Sequence, residues 1–188
     1  MDKQVKELAQ SVKLRSLRCL LAIFCVPMIC YSDIRTTTQT LSAQIQPIGK
    51  LSVTASLPLS GSGTTFLLYS GTLPVSYRVR TTTTGGGSIT VQATSDFSPA
   101  GGPSIASGVL TYTCGGASLG TTCSGTQTVT TTGQTPVLTV PGGACTGGGG
   151  VCSASDPNSV SLSFVLTNDP QFKTGTFSAA LTFTISAT

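Results

Sequence analysis

The chain has 188 residues, of which 9% are charged, with ten Lys and Arg against six Asp and Glu and neither His nor Trp. Without an imidazole no Ser–His–Asp or Cys–His apparatus can be built, which excludes the commonest nucleophilic enzymes. Most of the formal +4 lies in the first 32 residues; beyond them Arg35, Lys50, Arg78, Arg80 and Lys173 face Asp33, Asp96, Asp156 and Asp169, a balance too even for a nucleic-acid partner.

The chain opens with a basic stretch, "MDKQVKELAQSVKLRSLR", followed by an uncharged apolar one, "CLLAIFCVPMIC". Small residues at Cys30 and Ser32 then precede Asp33. This is the pattern of a secretory signal peptide over residues 1–32. The apolar run is about a dozen residues, short of the roughly twenty that span a bilayer. The expectation is a protein outside the cell or on its surface, with no stable membrane insertion after cleavage. Residues 33–188 are long enough for one sandwich-sized domain.

Period-two alternation then recurs along the chain, and no helix is expected. Leu41, Ala43 and Ile45 alternate with Ser42 and Gln44, ahead of an expected turn at Pro47–Gly49. Leu51 to Leu57 and Leu73 to Val79 repeat the pattern, the second with Arg78 and Arg80 on its polar side. "TTTTGGGS" turns the chain into Ile89, Val91 and Ala93, and "FSPAGGPS" reads as a loop. A strand is expected from Ile105 to Thr113, two weaker ones within "GTQTVTTTGQTPVLTV", and a clean one through Val160, Leu162, Phe164 and Leu166. The chain closes on "KTGTFSAALTFTISAT", where Phe177, Ala179, Leu181, Phe183, Ile185 and Ala187 share one face. About nine strands of this kind are most economically housed in an all-β, antiparallel β-sandwich.

Cys114, Cys123, Cys145 and Cys152 remain beyond the leader. Four cysteines in an exported chain read as two disulfides, for which three pairings exist. Cys114–Cys123 and Cys145–Cys152 are favoured because each pair brackets a Gly-rich turn. Zinc would need closer knuckle spacing than these cysteines have. No catalytic, metal or cofactor site emerges. "KTG" at Lys173–Gly175 lacks the S-x-x-K and S-D-N partners of the serine β-lactamase signature, and Lys173 reads as a solvated charge guarding a strand edge. "GSGTTF" and "TGGGGV" complete no phosphate-cradling pattern.

The last strand carries a motif, G-T-[YF]-x-x-x-[LV]-T-x-T-[IV], in Gly175, Thr176, Phe177, Leu181, Thr182, Thr184 and Ile185. It resembles the closing strand of spore coat U-type proteins, secreted relatives of chaperone–usher pilins. The resemblance implies an immunoglobulin-like sandwich that assembles into surface fibres, a strand near the start of one subunit completing the next. Its implied partners are copies of itself or related subunits, with a periplasmic chaperone and usher. The chain departs from such pilins in carrying no early cysteine after the leader and in ending on Ala187–Thr188.

Two roles are therefore open for residues 33–46: first strand of their own domain, or a strand donated to a neighbour, as sheet-edge addition allows. The residues expected to make that pairing are Leu41, Ala43 and Ile45 with Phe177, Leu181, Phe183 and Ile185. The leading functional expectation is a secreted structural subunit of a fibre or pilus-like assembly. The alternative is an extracellular adhesin or carbohydrate-binding module, although most Phe and Tyr fall on the apolar side of strands.

Overall fold

The computed structural model describes residues 40–61, 65–145 and 157–188. The chain divides into two compact units after Ser42, and the strands described all lie in the second. They are β1 (Ile48–Val53), β2 (Tyr69–Arg80), β3 (Gly87–Ala93), β4 (Leu110–Cys114), β5 (Thr121–Thr122), β6 (Thr126–Thr128), β7 (Thr135–Val140), β8 (Asn158–Leu166) and β9 (Leu181–Ala187). Two antiparallel sheets result, one ordered β1-β2-β8-β4-β6 and the other β5-β7-β3-β9. The expected all-β sandwich is the fold.

The alternation read in the sequence decides what lies between the sheets. Leu73, Val75, Tyr77 and Val79 of β2, Val160, Leu162, Phe164 and Leu166 of β8, and Leu110 and Tyr112 of β4 form one inner layer. Ile89, Val91 and Ala93 of β3 with Val137, Leu138 and Val140 of β7 form the other. Val137 and Leu138 are adjacent yet both buried because the β3–β7 register shifts there: Ile89 pairs with Leu138 and Thr90 with Pro136. Val137 is the extra residue of a bulge, which turns it inward. Tyr112 ties the sheets together by donating its hydroxyl to the Pro136 carbonyl at 2.7 Å, and the Tyr77 hydroxyl donates to the carbonyl of Leu119. Burial pushes both phenols above their ordinary pKa, so they stay neutral donors near pH 7.

The cysteines close one flank. Cys114 ends β4 in the first sheet, Cys123 follows β5 in the second, and they are disulfide-bonded with Cα atoms 5.6 Å apart. Cys145 is also disulfide-bonded, and Cys152, its expected partner, lies outside the described residues. The Cys114–Cys123 bond spans a separation of 9 residues. Loop-closure entropy assigns such a bond about 2.5 kcal/mol. Replacing both cysteines by Ser is therefore expected to lower the urea-unfolding free energy by about that amount and leave a β-protein by circular dichroism. Complete unfolding of the double variant would mean the bond holds more of the fold than one flank.

Five local expectations are corrected. No strand forms at Leu41–Ile45, and Ile48 and Gly49 belong to β1, not to a turn. β1 pairs with β2 from Val53↔Val75 to Ile48↔Arg80, and β2 ends at Arg80, so its ladder offers nothing to the residues before Ile48. Pro47 also lacks an N–H to donate. Ile105–Ser107 is a 3-10 turn closed by Gly108 at φ 71°, and β4 starts only at Leu110. Asp96 fixes that turn: its carboxylate accepts from the Ser104 hydroxyl and the Ile105 and Phe97 N–H groups, which hold its pKa low. Phe177 precedes β9 and lies against Gly102, where a Cβ would come within 2.3 Å of its ring. Lys173 sits over Gly101, in the connection before β9, and guards no strand edge.

Candidate functional site

The flank opposite the disulfide is formed by β1, at the edge of one sheet, and β9, at the edge of the other. The two edges approach at Gly49, where an added Cβ would lie 3.1 Å from Ile185 Cγ1. Coverage of this flank is incomplete. The inner row of β3 is 0–1% exposed, whereas the inner row of β9, namely Leu181, Phe183, Ile185 and Ala187, is only partly buried. Leu51 and Val53 of β1 are likewise half-buried. An apolar row therefore faces the core along β9 without a full complement of neighbours.

The backbone of β9 adds polar groups to that row. β9 pairs with β3 alone among the described residues, from Gly87↔Ala187 to Ala93↔Leu181. Thr94 donates its N–H to the Ala180 carbonyl, and Thr188 donates to the Gly86 carbonyl. Even-numbered residues thus point their backbone groups at β3. Strand alternation turns the N–H and C=O of Leu181, Phe183, Ile185 and Ala187 to the opposite, open edge. The same residues that present half-covered side chains also present unused ladder groups. β9 itself contains neither a charge nor a proline, the usual devices that blunt an edge.

A second apolar row lies at the start of the described chain. Leu41 and Ile45 are 94% and 72% exposed, and Ala43 is exposed too. Arg80 fixes where this lead joins the sandwich: its Nε and Nη2 donate to the Gln46 carbonyl at 3.1 and 2.7 Å. Of the residues expected to pair, Leu181, Phe183 and Ile185 share one row, Phe177 lies outside it, and Leu41, Ala43 and Ile45 form no strand with it. Sequence reasoning missed Leu51 and Val53 as flank-lining residues and Arg80 as the clamp on the lead. It also missed an exposed apolar run, Phe66–Tyr69, whose signal was four consecutive apolar residues in a stretch without charge.

Among the described residues no group of His, Cys, Asp and Glu could hold a metal ion, and no helix is long and apolar enough to cross a membrane. Compared with protein-family models, curated proteins and solved structures, the chain matches none.

Proposed function

We propose that the protein is a secreted structural subunit of a surface fibre, and that copies join by adding the lead of one chain, about residues 37–46, to the β9 edge of another. One observation carries this reading: β9 offers unused backbone donors and acceptors and a half-covered apolar row on the same four residues. An added strand with Leu41, Ala43 and Ile45 facing inward supplies both needs, ladder bonds for the edge and side chains for the row. It would also give the four-stranded sheet a fifth strand, matching its partner. The lead's apolar row has no use within its own described chain, which favours donation between chains over the role of first strand. The disulfide and the signal-peptide pattern support export. A periplasmic chaperone that occupies the same edge before assembly follows from the resemblance of the closing strand.

The test is binding of a fluorescent peptide of residues 37–46 to the dilute, monomeric chain. Saturable binding that weakens when Ile45 of the peptide is replaced by Asp is expected. A peptide that does not bind, or binds equally well in scrambled order, contradicts the reading.

A further inference from the structure

The connection between β1 and β2 carries the largest exposed apolar run among the described residues. Ser60 and Ser70 pair across it as an isolated bridge, which places Gly61 and Phe66–Tyr69 at a hairpin end of this sheet. There Phe66, Leu67, Leu68 and Tyr69 are 63%, 51%, 55% and 37% exposed. Four successive exposed apolar side chains are a liability unless something covers them. No Asp, Glu, Lys or Arg occurs from Leu51 to Tyr77. A tip built to enter an anionic lipid surface would carry flanking cations.

The position of the tip selects its occupant. Val79 lies against Gly87 across the sandwich, so the Ile48–Arg80 end of one sheet coincides with the Gly87–Ala187 end of the other. Tyr69, paired with Leu166, marks the opposite end, where β9 begins at Leu181. The sandwich therefore has a lead end, with exposed Ile48 (59%) and the Arg80 clamp, and a hairpin end with Phe66–Tyr69. A strand added antiparallel to β9, the sense of every pairing among the described residues, runs from the acceptor's lead end to its hairpin end. The donor's own sandwich must then emerge beside the acceptor's Phe66–Tyr69 run.

We infer that this run seats the lead end of a second copy, around its Ile48, as a head-to-tail contact that adds to the donated strand. The inference rests on the strand-addition reading. Because the two surfaces differ, the contact does not close on itself and repeats along a filament. It also gives the filament a direction and limits how freely one sandwich swings about the lead of the next.

The experiment compares the full secreted chain with Phe66→Ser/Leu68→Ser, Ile48→Ser and the combination, by sedimentation velocity over a concentration series. The tip variant is expected to need roughly tenfold more protein to assemble, because an apolar contact is lost. Its melting temperature and its affinity for the labelled 37–46 peptide should be unchanged. Ile48→Ser should act alike, and the combination should cost less than the sum, as residues in contact do. Unchanged assembly with normal peptide binding overturns the tip contact and leaves strand addition standing. Additive losses, symmetric tip-to-tip dimers, or tip-dependent flotation with neutral or anionic vesicles also overturn it. A wild-type chain that neither assembles nor binds the peptide sinks both inferences.

Discussion

Removal of residues 33–46 is expected to yield a folded monomer whose assembly is weakened by roughly a hundredfold or more, since three apolar side chains lose their burial in the neighbour. The sandwich itself should survive, because its ladder begins at Ile48 and, among the described residues, the buried core lies beyond that point. Among the described residues, the hydrogen bonds lost inside the domain are the pair from Arg80 to the Gln46 carbonyl. Those bonds are exposed, so the melting temperature should change little. Size-exclusion chromatography and negative-stain microscopy read the outcome. A truncated chain that still forms filaments contradicts strand addition. One that cannot fold returns residues 33–46 to the role of an indispensable part of their own domain.

The second large effect is expected at Phe183. Its side chain lies in the inner row of β9 opposite Val91, which is fully buried. Phe183→Asp would aim a carboxylate at a layer that is apolar among the described residues, and the loss of ring burial adds to that cost. A destabilisation of about 3 kcal/mol or more follows, a large share of the stability of a domain this size. Assembly should be lost as well, because the charge sits where the donated strand would pack. Thr184→Asp, one residue on, faces away beside Thr90 and should change stability by about 0.5 kcal/mol or less. Equal effects of the two substitutions in urea unfolding would mean that β9 does not present alternating faces as described.

The fold was legible because alternation is a local property. Leu73 to Val79, Ile89 to Ala93 and Val160 to Leu166 declare their buried faces in sequence, and all three are inner rows. What failed was where each ladder stops. Leu41, Ala43 and Ile45 alternate as well as any strand, yet β2 ends at Arg80 and gives them no partner. Phe177 continues the parity of β9, but β3 ends at Ala93 and the chain leaves the sheet. Strand length is set by the neighbour, and the neighbour is remote in sequence. The edge position of β9 was hidden for the same reason: sheet order depends on which non-local strands pair. The lead and β9 were legible as apolar rows. Only the sheet order reveals that one row is half-covered and the other exposed.

Residue-resolved hydrogen exchange along β9 tests the central claim most directly, because the two edges of this strand alternate in sequence. In the dilute monomer the amides of Thr182, Thr184 and Ser186, which face β3, should be protected, and those of Leu181, Phe183 and Ile185 should exchange quickly. In the assembled protein, quenched and read residue by residue, Leu181, Phe183 and Ile185 should become as protected as their neighbours. Assembly that leaves these three amides fast, or a chain that stays monomeric at every concentration tried, would contradict the addition of a strand at this edge.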